Sequence, residues 1–356
     1  MPALPPEFAA AADRTACRVA IRRGSKSFFA AGQLLPAEIR EAAYGLYAFC
    51  RYSDDLVDEA TSPAARHAAV ARLDQRMTWA YAGEPADTPA DRAFSEIVKG
   101  SAIPEALPRA LIEGLAWDAE GRRYADLDAL HAYAARVAGS VGAMMALIMG
   151  VRAPEALARA CDLGAAMQLT NIARDVGEDA RMGRLYLPLD WMRAGGLDPD
   201  AFLADPRPSP ALTVIVARLL AEADRLYRRA EAGIAQLPPR CRPAIRAAGL
   251  IYREIGGRIA EAGHDTVTRR ARVGGARKLA LLARAVPARA QTADLAAPAL
   301  PQALFLIEAV GRHPLAPLRQ RPALRPWWDV VGRVVHVLDL IERMQEREAF
   351  SRSAPS

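Results

Sequence analysis

Two stretches of the chain pair carboxylates at helical spacing. In Tyr47-Ala-Phe-Cys-Arg51-Tyr-Ser-Asp54-Asp55-Leu-Val-Asp58, Asp54 and Asp58 lie four residues apart, about 6 Å along a helix axis and on one face. Like charges so placed repel by a few tenths of a kcal/mol unless a cation sits between them. Arg51 is the one nearby neutralising charge, and taken alone the pair also fits a solvated acidic helix end. The second stretch, Gln168-Leu-Thr-Asn171-Ile-Ala-Arg174-Asp175-Val-Gly-Glu-Asp179, spaces Gln168, Asn171, Asp175 and Asp179 by threes and fours, so all four share a face if the helix continues. The flanking Leu169, Ile172, Ala173 and Val176 are apolar and mark the segment as buried. Unpaired carboxylates in such surroundings would cost several kcal/mol or become neutral, whereas a bound cation would make them useful.

Carboxylate and amide oxygens, with no histidine or thiol at ligand spacing, match a hard cation such as Mg2+, with Mn2+ as a substitute, and argue against zinc. Because Mg2+ commonly completes its shell with water and phosphate oxygens, two such faces across a cavity could present ions to a diphosphate. Arg51, Arg174 and Arg184 stand beside these aspartates and would complete the neutralisation. The chemistry this favours is departure of a diphosphate group.

The elements that must hold these residues read as helices. Apolar residues recur at three and four spacings over 38–59, 64–82, 90–99, 105–117, 126–150, 154–178, 210–235, 240–263, 273–285, 301–312 and 327–349, punctuated by prolines and glycines. The expected class is all-α. With 52% apolar residues in 356 the chain can bury a large core, and no fixed-period repeat interrupts it. Cys17, Cys50, Cys161 and Cys241 show no metal-binding spacing and read as buried thiols of a reducing compartment. Glu7, Asp13 and Arg14 interrupt what would be the apolar section of an export signal, and no apolar run reaches the ~18–20 residues that span a bilayer. A cytoplasmic location is expected. The net charge is +6, almost all of its positive side arginine, since Lys26, Lys99 and Lys278 are the only lysines. Arginine's planar fork suits phosphate; no aromatic-rich basic repeat points to nucleic acid, which is not expected as a partner.

Together these segments resemble the head-to-head isoprenoid synthases, the squalene and phytoene synthases. Tyr47 to Asp58 is similar to the family's first aspartate-rich motif and Gln168 to Asp179 to its second. Ser25-Lys26-Ser27-Phe28 resembles the segment that contacts diphosphate, and Tyr133-Ala-Ala-Arg-Val137-Ala-Gly139-Ser-Val-Gly142 the small-residue helix along the substrate tunnel. Arg184-Leu-Tyr186-Leu-Pro188 resembles the arginine-tyrosine turn, Ile251-Tyr252-Arg253 the late helix whose tyrosine approaches the site, and Arg269 a later arginine. Each flanking match also has a plainer reading, as a surface lysine, a close-packing glycine or a half-buried core tyrosine.

The resemblance implies a single isoprenoid-synthase domain over 1–290 and a C-terminal extension over 291–356. It implies Mg2+ held by Asp54, Asp58, Asn171, Asp175 and Asp179, with Arg51 and Tyr252 also in the catalytic set. Ser25, Lys26, Ser27, Tyr47, Tyr133, Val137, Gly142, Gln168, Arg174, Arg184, Tyr186 and Arg269 would contact substrate. The implied reaction joins two geranylgeranyl diphosphates through prephytoene diphosphate to phytoene, releasing two diphosphates with no nicotinamide cofactor. Squalene or dehydrosqualene synthesis from farnesyl diphosphate is the alternative. A chain-elongating or cyclising terpene synthase usually carries a different second motif, and a silent assembly factor of the same fold should have lost some aspartates. The extension's last helix puts Trp327, Val331, Val334, Leu338 and Ile341 on one side. Packing on its own protein is one reading of that face, and peripheral contact with an anionic membrane at the inner face of the cytoplasmic membrane, near downstream carotenoid enzymes, is another.

Overall fold

The computed structural model describes residues 9–286 and 294–313, and its described residues are helical, with no strand among them. In chain order the α-helices are α1 (Ala11–Gly24), α2 (Lys26–Gly32), α3 (Ala37–Asp58), α4 (Pro63–Ala82), α5 (Pro89–Ser101), α6 (Ala106–Ala119), α7 (Leu127–Ala134), α8 (Ser140–Ile148), α9 (Pro154–Arg181), α10 (Leu189–Ala194), α11 (Pro199–Ala204), α12 (Pro210–Ile234), α13 (Arg242–Glu261), α14 (Gly275–Ala285) and α15 (Leu304–Gly311).

Several starts follow from one local device. Ser62, Thr88 and Ser209 each accept a backbone N–H three residues on, and each is followed by proline at the first helical position, where its missing N–H costs nothing. The stretch expected as one helix over 126–150 is instead α7, a π turn over Ala135–Gly139, and α8. A single inserted residue re-aims the helix there, as such turns do.

The long helix α9 is the axis of the fold, flanked by α8, α12 and α13, while α3 packs on α1 and α5. The π turn and α8 approach α9 backbone to backbone. A Cβ on Gly142 would stand 2.2 Å from the Ala160 carbonyl oxygen, and one on Gly164 2.2 Å from that of Ala138, so neither position tolerates a side chain. Leu300, Ala303, Leu306 and Val310 belong to the main core, and the compact unit therefore continues past residue 290 to His313. A buried guanidinium holds this segment: Arg159, ion-paired with Asp162 at 2.8 Å, donates to the carbonyls of Asp294 (2.6 Å) and Ala297 (3.0 Å). The helix expected from Trp327 lies outside the described residues.

Candidate active site

Both aspartate pairs sit at helix C-termini. Asp58 closes α3, and Asp175 and Asp179 lie in the last turns of α9. The negative end of the helix macrodipole disfavours carboxylates there, so the arrangement needs positive charge from elsewhere. Arginines supply part of it. Arg51 pairs along its own helix with Asp54 (3.4 Å) and Asp55 (2.6 Å). Arg184, just beyond α9, reaches across to Asp58 at 2.5 Å, which brings the ends of α3 and α9 together. Asp175 takes Nε of Arg174 at 2.8 Å and Nε of Arg270 at 2.8 Å.

Arg270 makes this contact, while its neighbour Arg269, expected against substrate, is exposed. The reason is how the segment after α13 crosses α9. Gly177 donates its N–H to the Thr266 carbonyl at 3.1 Å, and a Cβ on Gly177 would meet the Val267 Cα at 2.6 Å. The crossing fixes which arginine arrives over Asp175.

Two of the carboxylates stay above their ordinary range despite these arginines. Burial, then the neighbouring Asp58, pushes Asp54 up to about 6. Its side chain keeps 42% of its surface accessible, so solvent screens part of that repulsion. Burial and Asp175 push Asp179 up to about 7. On α9, Asn171 Oδ1 is buried without a hydrogen-bond partner. No group of three or more His, Cys, Asp or Glu side chains among the described residues is clustered closely enough to hold a metal by itself. The donor set nevertheless fits hard divalent cations: it is all oxygen, under-neutralised, and includes an unpartnered amide oxygen.

A cavity of about 330 Å3 lies within the body, and its lining includes Cys50 and Asn171, each one helical turn before an aspartate of the two pairs. Tyr47 and Cys50 of α3, Val137 and Gly142 of the π turn and α8, and Gln168 and Asn171 of α9 all line it. Its inner end is apolar, closed by Leu35, Met149, Leu237 and Ala244. Phe28 stacks on Tyr252 with ring centroids 4.9 Å apart and stands edge-on to Tyr47. Burial pushes the Tyr252 hydroxyl up to about 12. Ser25 caps α2 by accepting the Phe28 N–H at 3.2 Å; Lys26 is exposed and Ser27 half-buried.

Tyr133 and Tyr186 do not line the cavity with Tyr47. Both are buried and donate to one carboxylate that the sequence reading missed: Tyr133 to Asp118 Oδ2 at 2.8 Å and Tyr186 to Oδ1 at 2.7 Å. Burial pushes Asp118 up to about 6 against the two phenol hydrogen bonds. Its signal was its position. Asp118 stands three and seven residues after Leu115 and Leu111 on the buried side of α6, where an unpaired acid would be costly.

The profile of squalene/phytoene synthase matches residues 21–277, a span that contains both aspartate pairs, the cavity and Arg270. The chain belongs to the squalene/phytoene synthase family. It is 51% identical over 316 residues to a phytoene synthase of Rhodobacter capsulatus, covering 87% of this chain and 93% of that one. A 15-cis-phytoene synthase of a Paracoccus species is 45% identical over 269 residues, covering 74% and 87%. Among solved structures, a dehydrosqualene synthase in complex with ligand matches with a TM-score of 0.71 at 30% identity, over 77% of this chain and 95% of that one. A squalene synthase from Alicyclobacillus acidocaldarius matches with a TM-score of 0.65 at 26% identity, over 74% and 97%. The all-α isoprenoid-synthase architecture is thus that of the squalene/phytoene synthase family. No described helix is long and apolar enough to cross a membrane.

Proposed function

We propose that this member of the family is a phytoene synthase, joining two geranylgeranyl diphosphates head to head through prephytoene diphosphate and releasing two diphosphates. One observation carries the chemistry: two aspartate pairs, drawn together by the Arg184–Asp58 contact, begin one helical turn after Cys50 and Asn171, which line a largely apolar cavity. The names of the relatives at about half identity support the product.

Asp54, Asp58, Asn171, Asp175 and Asp179 are the residues that would hold Mg2+, or Mn2+ in its place. Bound there, such ions supply Lewis-acid neutralisation to the departing diphosphate. The chain's own groups do the rest. Arg51, Arg174 and Arg184 add fixed positive charge where the leaving group gains negative charge, and this stabilises the transition state more than the ground state. The aromatic wall of Phe28, Tyr47 and Tyr252 offers π faces to an allylic cation. The apolar interior excludes the water that would quench it. Loss of one proton closes the cyclopropane, and loss of another after rearrangement ends the sequence without hydride, so no nicotinamide cofactor is required.

The test is incubation with labelled geranylgeranyl diphosphate and Mg2+ without reductant, then competition against farnesyl diphosphate with and without NADPH. Phytoene as the main product in every arm is expected. Dominant squalene or dehydrosqualene would overturn the product and leave the family standing.

A further inference from the structure

Asp118, at the end of α6, gathers two phenols from distant parts of the chain: Tyr133 at the end of α7 and Tyr186 in the turn after α9. Their rings pack against each other with centroids 5.3 Å apart, and Tyr124 closes the cluster at 5.2 and 6.1 Å. A phenol has a single proton. With both protons committed to the two oxygens of Asp118, Tyr133 and Tyr186 can offer only lone pairs to anything else. Burial holds both hydroxyls well above their ordinary range, so they remain neutral. The cluster adjoins the acidic end, since Tyr186 stands two residues after Arg184, whose guanidinium reaches Asp58 at 2.5 Å. Arg184 and Asp58 in turn act on Asp118.

We infer that Asp118 is a positioning residue for the coupling reaction: by taking both phenol protons it fixes Tyr133 and Tyr186 as hydrogen-bond acceptors behind the aspartate-bearing ends of α3 and α9. An acceptor oxygen stabilises positive charge developing beside it. A phenol free to donate would instead turn its proton toward the diphosphate and its positive edge toward the cation. The inference rests on the proposed function, because only a reaction passing through cations gives this fixed orientation a use. Packing alone does not account for the arrangement, since a carboxylate in the buried face of α6 is a costly way to hold two rings that already stack.

The test uses the full chain with Mg2+ and geranylgeranyl diphosphate, comparing Asp118→Asn, Asp118→Glu, the Tyr133→Phe/Tyr186→Phe double variant and the triple combination. Asparagine keeps one acceptor but presents an NH2 to the second phenol, so one tyrosine must turn. Asp118→Asn should lower kcat for phytoene formation by roughly 10–100-fold, in the range of losing one preorganised electrostatic group, with KM within about threefold of wild type. Asp118→Glu, which keeps two acceptor oxygens, should recover part of the loss. Added to the double phenylalanine background, Asp118→Asn should cost less than about a further twofold, because the groups it acts through are gone. A multiplicative loss in that background, an unchanged kcat in Asp118→Asn, or an effect wholly in KM would overturn the proposal. So would a fall of more than about 10 °C in the melting temperature of both the Asn and Glu variants, which marks a structural role. If the double background is too slow to measure, the kcat and KM of Asp118→Asn decide. Wild-type enzyme that makes no phytoene under the same conditions refutes the assigned function instead.

Discussion

Asp179→Asn should stabilise the metal-free protein while destroying its activity. Burial and Asp175 raise the Asp179 carboxyl from 3.8 to about 7. An acid whose folded value is raised stabilises the fold at low pH, and that contribution is lost as pH rises from about 4 through about 7. With those two values, charging Asp179 costs the folded state about 4 kcal/mol at pH 7 and about 2 kcal/mol at pH 5. Repulsion shared with Asp175, Glu178 and Asp118 and movement of Arg184 reduce what one substitution recovers to on the order of 1–2 kcal/mol. In EDTA at pH 7.5 the variant should therefore melt roughly 2–5 °C above wild type, and the gap should narrow at pH 5. Adding Mg2+ and inorganic diphosphate should return the advantage to wild type, because ligand that binds only the intact site stabilises by mass action. Thermal melts by circular dichroism across pH, in EDTA and in Mg2+ with diphosphate, provide the measurement. A variant that melts at or below wild type in EDTA at pH 7.5, or whose advantage does not shrink at pH 5, would refute the reasoning.

Asp54→Asn and Asp175→Asn should each lower turnover by about 10³-fold or more, on the scale of several kcal/mol of lost transition-state stabilisation, with helical content unchanged; near-normal rates in both would remove the site assignment. EDTA should silence the wild type and Mg2+ or Mn2+ should restore it, and activity that survives exhaustive chelation would contradict the proposed ions. Gly177→Ala places a Cβ 2.6 Å from the Val267 backbone, so it should cost about 1–3 kcal/mol of stability and raise KM by displacing Arg270 from Asp175; a variant with wild-type melting temperature and KM would show that the crossing is not needed. The tail from Trp327 should hold the protein weakly on anionic vesicles in a salt-sensitive way, and a flotation assay in which the full chain and a truncation before Trp327 both stay unbound would end that proposal.

The long helices were legible because an apolar stripe at helical period runs through them, joined in α4 and α12 by a second signal, a serine cap followed by proline. The aspartate pairs were legible for the same reason, since α3 and α9 run unbroken through both motifs and the spacing does define a shared face. The first helix was not. Its buried positions are Asp13, Cys17 and Ile21, and Asp13 can be buried only because Arg92, far along the chain on α5, grips it at 2.6 and 2.9 Å. A helix whose inward face includes a charge paired at long range has no periodic apolar signature. The π turn was invisible because its residues, Ala135 to Gly139, suit an ordinary helix equally well; the distortion comes from the close approach of α9. Arg270 and Asp118 share that limit. Their partners lie on other helices, so spacing along their own segments is silent about them.

The placement of the acids also explains why the cavity divides so sharply. Carboxylates at the C-terminal ends of two helices oppose both helix dipoles and one another, and a stability optimum would have replaced them with arginine or lysine. Two guanidiniums, from Arg174 and Arg270, already serve Asp175, and Arg184 serves Asp58, yet Asp54 and Asp179 are still pushed up to about 6 and about 7, well above the ordinary carboxylate range. A group that binds there and carries several positive charges is favoured by the amount that the empty site is disfavoured. The same imbalance keeps the charge at one end. A few ångströms deeper the wall is Val137, Val141 and Met145, where an ion would lose its hydration with nothing in return. In the proposed reaction, diphosphate and its counter-ions would be confined to the acidic end, and a cation formed on the prenyl chain would be left to the apolar interior, attracted back toward the diphosphate it had just lost. That attraction would keep the reacting carbons near the acidic end between the two ionisations, so one site would suffice for both.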